Sequence, residues 1–515
     1  MFTLKLSQQI KKSTLLFNTG ICIVAVLSLW IRLQFFTGDN PMPLNDGGLF
    51  YKMIQELIDN HFRIPAYTSY NHENIPYAYP ALAFYFAGFI NQVFNIDLIS
   101  IIKYLPLIFN LFAIPCFYFF AKEILESKYQ ALLATLVFSI SKPAYEWLIM
   151  GGGLTRSPAY TFSILTLFLF LRGLKSQNWK YILFAGITIG LTASFHLEKA
   201  FFAVISVCLI TFFYARNKFG IKSIIVAGVV GFVVFSPMFL PVYLQHGIEP
   251  YVNAFSAGEF SISKAIAKLT LFNFYSVSPF LDIFGVISLI GFWTVAIKLE
   301  KRQIFILFWL VTTVFLNGRS VDRFSIIPLS LLFVYGFTVI TTSKTKRVIF
   351  NCYTVSTSSS LGVILLLGGI FSSQLVSFIN PILLYSISSQ DISAMNWIGK
   401  NTALDSSFYI LPSESWQKDS LGEWFPAISH RKNISTVQAT EWLGTYNSNK
   451  DFFSKKVEEI KNEDLEKVDF SFIISSNYVY CSEFQFQKIV PYCPPTLPDF
   501  DTVYIRDGVV IYQKN

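Results

Sequence analysis

Charged residues are scarce in this chain of 515 residues, at 14% of the total, whereas a soluble domain carries about 25%. Hydrophobic residues make up 53% and aromatic residues 17%, and the mean hydropathy is +0.49. The shortage of charge excludes a chain built mainly around a large soluble core and indicates one embedded in lipid. Apolar stretches of about 20 residues, long enough to cross a bilayer, recur along the sequence.

Several motifs are also missing. The sequence has no metal-type CxxC pair, no HExxH and no internal repeat of the length typical of repeat proteins. The first apolar segment, 14–36, lacks a clear small-residue cleavage site, so we expect a retained helix rather than a signal peptide. Of the six cysteines, Cys22, Cys116, Cys208 and Cys352 lie in apolar segments. Cys481 and Cys493, 12 residues apart, could form a disulfide or remain as two thiols.

The net charge of +8 is unevenly distributed. Residues 381–515 hold 12 basic and 17 acidic residues, whereas residues 1–380 hold 28 basic and 15 acidic residues. A basic excess confined to membrane loops is an orientation signal and not a nucleic-acid footprint, so we expect no nucleic-acid partner. Six basic clusters separate the apolar stretches: Lys5, Lys11, Lys12; Lys122, Lys128; Arg172, Lys175, Lys180; Arg216, Lys218, Lys222; Lys298, Lys301, Arg302; and Lys344, Lys346, Arg347.

These clusters predict the topology. If all six face the cytoplasm, the N-terminus is cytoplasmic and the chain crosses the membrane about eleven times. The C-terminal segment then lies on the outer face of the plasma membrane. The apolar stretch 79–94 is short for a span and would invert every later loop, so we interpret it as a juxtamembrane or re-entrant helix in a first outer loop, 37–97. The predicted spans are 14–36, 98–121, 129–149, 154–171, 180–196, 200–214, 221–244, 280–297, 303–317, 324–342 and 350–378.

A composition shift near residue 380 predicts two domains: a transmembrane domain, 1–380, and a small mixed α/β extracytoplasmic domain, 381–515. Helices are predicted at 393–401 and 451–467. Strands are predicted at 406–413, 470–476, 502–506 and 508–514, where β-branched and aromatic residues concentrate.

Two outer loops carry residues suited to chemistry. Asp46 precedes Gly47 and Gly48 and a stretch with helical apolar spacing, so it is predicted at a helix N-cap. It could serve only as the cap or could also accept a proton from a substrate hydroxyl. Three glycines before Leu154 permit either close backbone approach or turns with positive φ, and Arg156 beside them could bind a phosphate or merely anchor the loop at the interface.

Two further connections carry polar groups. His196, Glu198 and Lys199 could form an ion-paired loop, and His196 and Glu198 could contact substrate; two ligands do not make a metal site. Arg319 and Arg323 flank the start of a late span. They could hold a lipid-linked phosphate or extend their charges to the interface.

The C-terminal segment contains an aromatic and polar cluster: Trp424, His430, Arg431, Gln438, Glu441 and Trp442. Such side chains suit sugar recognition through ring stacking and hydrogen bonds. They equally suit a domain packed down onto the membrane interface. Tyr51, in the first outer loop, is a further candidate for substrate binding.

One span, a long outer loop with an early carboxylate, about ten more spans and an outer C-terminal domain together resemble the GT-C superfamily of integral membrane glycosyltransferases. That superfamily includes protein O-mannosyltransferases, aminoarabinose transferases and oligosaccharyltransferase catalytic subunits. The resemblance covers residues 14–380 and is carried by NDGGLFYKMIQEL, YPALAFYFAGFINQVFNID and DRFSIIPLSLLFVYG. The GGGLTR and EWFPAISHRKNISTVQATEWLG stretches also resemble uncharacterised bacterial membrane proteins described as related to 6-pyruvoyl-tetrahydropterin synthase, a description to which we attach no enzymatic meaning.

The resemblance implies transfer of a sugar from a polyprenyl-phosphate donor to a glycan, lipid or protein acceptor at the outer face, in cell-envelope glycan biosynthesis. Asp46 matches the first-loop acid and would be the general base, with Arg156, Arg319 and Arg323 at the donor phosphate. The pattern departs from the family in two places. Asn45 stands where a second acid is common, and Thr155 and Arg156 stand where metal-binding members carry an acid. We therefore expect no metal and no cofactor.

Two other functions fit the sequence. A transporter or flippase for a lipid-linked glycan would tend to carry charges at mid-membrane depth or internal repeats, and the predicted spans show little of either. A non-catalytic subunit of a glycan assembly machine would keep the fold but tolerate loss of Asp46.

Overall fold

The computed structural model describes residues 2–36, 42–43, 45–258, 261–272, 274, 282–316, 320–342, 347–350, 353–379, 387–412, 415–462, 477–484 and 493–515. Arg319, Cys352, the predicted boundary near residue 380 and the predicted strand at 470–476 lie outside these residues.

Helices dominate the described part of the chain. They are α1 Phe2–Leu33, α2 Gly47–Asp59, α3 Leu82–Phe94, α4 Leu98–Leu125, α5 Lys128–Ile140, α6 Gly153–Ser176, α7 Trp179–Phe195, α8 Leu197–Tyr214, α9 Lys218–His246, α10 Glu249–Ser256, α11 Ile262–Leu271, α12 Ile283–Lys298, α13 Lys301–Leu316, α14 Val321–Thr342, α15 Thr357–Ile379, α16 Ser389–Asn401, α17 Ser420–Ser429 and α18 Tyr446–Asn462. The strands are β1 Tyr67–Thr68, β2 Ile75–Pro76, β3 Arg347–Phe350, β4 Tyr353–Ser356, β5 Ser407–Ile410, β6 Lys432–Asn433, β7 Tyr478–Ser482, β8 Phe500–Arg506 and β9 Val509–Lys514.

Six helical segments are long and apolar enough to cross a membrane: Thr14–Phe36, Leu98–Leu125, Gly153–Ser176, Leu197–Tyr214, Lys218–His246 and Val321–Thr342. Further apolar helices of 10–17 residues occur at the other predicted spans. The chain is therefore an integral membrane protein. The count of eleven crossings stays a prediction.

Two predicted spans are shorter in the structure. α5 ends at Ile140 rather than at residue 149, because Pro143 has no N–H to donate to the carbonyl oxygen four residues earlier and its ring would clash with that carbonyl in a continued α-helix. Short 3₁₀ turns, Lys142–Ala144 and Glu146–Leu148, then lead into the glycine-rich connection. The helix of the last predicted span, α15, starts at Thr357 rather than at residue 350, after the antiparallel pair β3 and β4.

Small residues let the membrane helices approach closely. At Gly291 of α12, a Cβ would lie 1.8 Å from the carbonyl oxygen of Leu332 in α14. At Gly336 of α14, a Cβ would lie 2.0 Å from the carbonyl oxygen of Ile287 in α12. Glycine therefore creates the contact between these two helices, as is usual where lipid supplies no hydrophobic drive for helix association.

α3 is the helix that falls in the apolar stretch 79–94, interpreted above as a surface helix. Its 13 residues extend about 20 Å at 1.5 Å per residue, too short for a hydrocarbon core of about 30 Å. Phe84 and Ala87 are fully buried on one face, whereas Phe86, Phe89 and Val93 are exposed on the other. An apolar exposed face next to lipid-embedded helices suits a position at the membrane surface.

The C-terminal segment forms a mixed sheet with strand order β6-β5-β7-β9-β8. β5 runs parallel to β6 and β7, whereas β9 pairs antiparallel with β7 and β8. Helices at 389–401 and 446–462 and strands at 407–410, 500–506 and 509–514 fall on predicted elements. Cys481 of β7 and Cys493 form a disulfide, with their Cα atoms 5.9 Å apart.

The C-terminal segment packs onto the first outer loop. Leu49 and Phe50 of α2 share one hydrophobic core with Phe408, Trp424 and Phe425. The two predicted domains therefore meet through buried apolar contacts, which holds the N-terminus of α2 against α17.

Candidate functional site

Asp46 lies at the N-cap position of α2 as predicted, but its side chain makes no capping hydrogen bond. Asn45 and Asp46 both adopt left-handed backbone conformations, with φ of 66° and 70°. Asn and Asp adopt this conformation more readily than other residues with a side chain, and then usually as single residues. Two such residues in succession persist only where surrounding contacts impose them, and such strain is typical of functional sites.

The Asp46 carboxylate is directed at Arg156, in the first turn of α6. Nη2 of Arg156 forms an ion pair with Oδ2 of Asp46, and Nη1 donates a hydrogen bond to Oδ1 of Asn45 at 2.5 Å. Both members of the ion pair are about seven-eighths buried, with 13% and 14% of their side chains exposed. The predicted base and the predicted phosphate ligand are therefore direct partners.

Gly152 makes this contact possible. A Cβ at this position would lie 2.8 Å from Oδ2 of Asp46 and 2.7 Å from Cζ of Arg156. Its amide donates to the carbonyl oxygen of Asn45 at 2.5 Å. Of the two reasons foreseen for the glycines, close approach applies here, because φ at Gly152 is −64°.

Tyr79 and His196 lie beside the ion pair. The Tyr79 ring is buried, 6.2 Å from the His196 ring and 5.5 Å from the Trp442 ring. Burial and the nearby Asp46 carboxylate raise the pKa of Tyr79, which keeps its hydroxyl neutral. Nδ1 of His196 is buried and has no hydrogen-bond partner among the described residues. The site thus offers a neutral hydroxyl and a ring nitrogen able to bind a further polar group.

A second polar network adjoins the Asp46–Arg156 ion pair. Lys199 is fully buried, and its Nζ lies 2.8 Å from Oε2 of Glu198 and 3.2 Å from Oγ of Ser320. Nη1 of Arg323 also donates to Oγ of Ser320 at 2.9 Å, and Oγ donates to Glu198 at 2.9 Å. Glu198 acts electrostatically on both Arg156 and Arg323, so three cations and two acids share one region. The ion-paired interpretation of the His196–Lys199 connection matches these contacts.

The C-terminal segment contributes Glu441 to this region. Glu441 lies in the 3₁₀ turn Thr440–Trp442 and acts electrostatically on Arg156 and Tyr79. Trp442, in the same turn, packs on Tyr79. The predicted aromatic and polar cluster thus reaches the site through this turn.

Other members of that cluster lie elsewhere. Trp424 is fully buried and donates from Nε1 to the carbonyl oxygen of Pro43 at 3.0 Å, with the Tyr51 ring 5.7 Å from its own. Gln438 is buried and donates to the carbonyl oxygen of Trp416. These placements favour the packing alternative over sugar stacking for Trp424 and Gln438.

Arg431 and His430 also contact residues away from Asp46. The Arg431 guanidinium is buried and donates to the carbonyl oxygens of Gly399 and Thr402 at 3.0 and 2.6 Å. His430 ends α17, is exposed, and accepts at its carbonyl oxygen a hydrogen bond from the His72 ring at 3.1 Å. Both residues fix the backbone around α17.

Comparison with known proteins bears on the fold. Residues 78–240 match the family model described as dolichyl-phosphate-mannose-protein mannosyltransferase. No curated protein is a significant match to the chain. Solved structures with similar folds are, however, found among enzymes of glycan transfer.

Three of these structures cover nearly the whole chain. The archaeal oligosaccharyltransferase AglB from Archaeoglobus fulgidus, in complex with an inhibitory peptide and a dolichol-phosphate, is 14% identical, with a TM-score of 0.59 over 98% of this chain and 74% of AglB. ArnT from Cupriavidus metallidurans, bound to undecaprenyl phosphate, is 11% identical, with a TM-score of 0.55 over 97% of this chain and 98% of ArnT. The arabinofuranosyltransferase AftD from Mycobacteria is 10% identical, with a TM-score of 0.56 over 96% of this chain and 39% of AftD.

This chain has the GT-C fold. The resemblance seen in the sequence is thereby confirmed at the level of the fold. Within it, the ion pair, the Arg323 network and the turn carrying Glu441 meet where α2, α6, α8 and α14 begin.

One structure of the same fold, from Archaeoglobus fulgidus, was solved in complex with Zn and sulfate. At the site described here, the first-loop carboxylate has a cation as its partner. Asp46 faces the Arg156 guanidinium instead of a second acid, and within the described ranges no three His, Cys, Asp or Glu side chains form a metal-binding group. A fixed cation thus already neutralises the first-loop carboxylate.

Glu423 is a further residue of the site that was not predicted from the sequence, although it begins the stretch EWFPAISHRKNISTVQATEWLG. Glu423 is fully buried, and its carboxylate accepts hydrogen bonds from the backbone at the start of α2. Burial and the Asp46 carboxylate raise its pKa to about 8. The only local signal was an acid beside Trp424 and Phe425 in an apolar helix, where an unpaired carboxylate would be costly.

Proposed function

We propose that this protein is a membrane glycosyltransferase of the plasma membrane. It transfers a sugar from a polyprenyl-phosphate-linked donor to an acceptor hydroxyl at the extracytoplasmic face. The GT-C fold and the matched family description support the class of reaction. The observation that carries the proposal is the meeting of Asp46, Arg156, His196, Arg323 and Glu441 in one region.

The proposed reaction is a displacement at the anomeric carbon. The acceptor oxygen attacks this carbon as its proton passes to the Asp46 carboxylate. The bond between the anomeric carbon and the phosphate oxygen breaks, and polyprenyl phosphate leaves with the electron pair. Cations stabilise the negative charge that develops on the leaving phosphate, and Arg323, Lys199 and Arg156 are placed to do so.

The ion pair gives this mechanism an order of events. A carboxylate held by a guanidinium is a weak base, because the pair stabilises its charged form. A donor phosphate competes with Asp46 for Arg156, since guanidinium binds phosphate and carboxylate in the same bidentate manner. Donor binding would therefore release Asp46 to accept the proton. In this proposal the guanidinium takes the place of a metal, and transfer needs no divalent ion.

The test is a transfer assay with purified protein in lipid, using polyprenyl phosphates that carry mannose, glucose or arabinose, with and without chelator. Release of polyprenyl phosphate is measured together with sugar transfer. Asp46→Asn keeps the shape of the side chain but removes the base, so we expect transfer to fall by about 100-fold or more. Asp59→Asn, at an exposed acid on the same helix, is the matched control.

The alternatives give different results in the same assay. A flippase would move the donor across the bilayer and release no polyprenyl phosphate. A non-catalytic subunit would show no transfer and would support its complex equally well with Asn at position 46. Wild-type transfer by Asp46→Asn would remove the assigned base, and loss of transfer with chelator would contradict the metal-free mechanism.

A further inference from the structure

Glu423 links the C-terminal segment to the turn that carries Asp46. Its Oε2 accepts from the amide of Asn45 at 2.8 Å, and its Oε1 accepts from the amide of Gly48 at 3.0 Å. Two backbone N–H groups at the N-terminus of α2 therefore converge on one buried side chain from a helix about 375 residues later in the chain.

Two glycines bring α17 close enough for these bonds. A Cβ at Gly47 would lie 3.1 Å from Cζ2 of Trp424, and a Cβ at Gly48 would lie 2.7 Å from the carbonyl oxygen of Glu423. The Tyr70 hydroxyl donates to that same carbonyl oxygen at 2.6 Å. The backbone of Glu423 is thus fixed on one side while its side chain holds the turn on the other.

The carboxylate faces the conformation that needs support. Asn45 and Asp46 are the two consecutive left-handed residues, and the amides of Asn45 and Gly48 would otherwise be buried without partners. Side-chain oxygens that accept N–H groups at a helix N-terminus satisfy donors that have no partner within the helix. No other side chain among the described residues is seen bonded to the Asn45 or Gly48 amide.

We propose that Glu423 is a positioning residue, which holds residues 45–48 in the conformation that directs the Asp46 carboxylate at Arg156. The proposal rests on the proposed role of Asp46 and adds a role for the C-terminal segment. That segment completes the site by fixing the first outer loop, as well as by supplying Glu441.

Hydrogen–deuterium exchange of the peptide covering residues 43–50 tests the positioning without any substrate. Glu423→Ala leaves two N–H groups without their acceptor, so we expect exchange there to rise by about tenfold or more. Glu423→Gln keeps an acceptor oxygen and should give an intermediate rate. Glu458→Gln, at an exposed acid of α18, should leave this peptide unchanged.

Kinetics then separate positioning from simple stabilisation. With correctly folded protein, Glu423→Ala should lower kcat by about tenfold or more while leaving KM for the donor unchanged, and Glu423→Gln should restore part of kcat. A purely structural role would instead lower the thermal midpoint of both Glu423→Ala and Tyr70→Phe and leave kcat per folded molecule at the wild-type value.

Two results would overturn the proposal: unchanged exchange at 43–50 in Glu423→Ala, or unchanged kcat in that variant while the wild type transfers sugar. If the wild type transfers no sugar from any donor, the proposed function fails. The exchange measurement then still decides whether Glu423 holds the turn. The two failures are therefore distinguishable.

Discussion

At the scale of single residues, the site depends on a contact that only glycine allows. A methyl group at position 152 would lie within 3 Å of both Asp46 Oδ2 and Arg156 Cζ. We expect Gly152→Ala to separate the ion pair and to lower transfer by about tenfold or more. Gly228→Ala is the control, because nothing lies within 4 Å of a Cβ at that position. Equal activity of the two variants would show that the ion pair is not needed in its present geometry.

The protonation of Glu423 makes stability depend on pH. Its pKa is raised from 4.5 to about 8 in the folded protein, by burial and by Asp46. Between these values the folded state keeps a proton that the unfolded state has lost. The free energy of unfolding should therefore fall as pH rises through this window, by up to about 1.4 kcal/mol per pH unit.

The measurement is the thermal midpoint in detergent from pH 5 to 8, an interval of about three units within that window, for the wild type and Glu423→Gln. The Gln variant cannot titrate at this position, so the difference between the two proteins should change steadily with pH, to the disadvantage of the wild type. Parallel curves would mean that Glu423 keeps one protonation state throughout.

These residues also show what the sequence could and could not predict. Asp46 was predictable, because an acid before Gly-Gly just after a first span is a local pattern. The partnership of Arg156 with Asp46 was not, since 110 residues separate them. Glu423 was missed for the same reason. Its partners are backbone amides, and these carry no side-chain signature in the sequence.

At the scale of elements, apolar runs predicted helices well because burial in lipid demands continuous hydrogen-bonded helix. The helix ends were less predictable: α5 stops before Pro143 although apolar residues continue to 149. For Trp424 the difficulty was the choice between two roles, sugar binding and packing. An aromatic side chain beside polar residues suits either a ligand or a domain contact, and only the packing against Pro43 and Gly47 distinguishes them.

The surface position predicted for α3 can be measured directly. A spin label at Phe89, on the exposed apolar face, should be accessible to oxygen dissolved in lipid and shielded from a water-soluble relaxing agent. A label at Asp59, an exposed residue of α2, should show the reverse. Water exposure at Phe89 equal to that at Asp59 would contradict the placement of this helix at the bilayer.

At the scale of the whole molecule, the first outer loop and the C-terminal segment share a hydrophobic core and therefore lie on the same side of the membrane. The basic clusters predict that this side is extracytoplasmic. The site must be there too, because Asp46, Glu441 and Glu423 all belong to these two parts. An enzyme in this orientation would act on donors presented at the outer leaflet.

Labelling of intact cells with a membrane-impermeant maleimide tests this orientation. Asp59→Cys in α2 and Glu458→Cys in α18 are exposed positions on the predicted outer side, whereas Lys180→Cys lies in a predicted cytoplasmic cluster. We expect the first two to react in intact cells and the third only after permeabilisation. The wild-type protein gives the background from its own cysteines. Reaction at Lys180→Cys alone would invert the topology and place the site in the cytoplasm, where a donor on the outer leaflet could not reach Asp46.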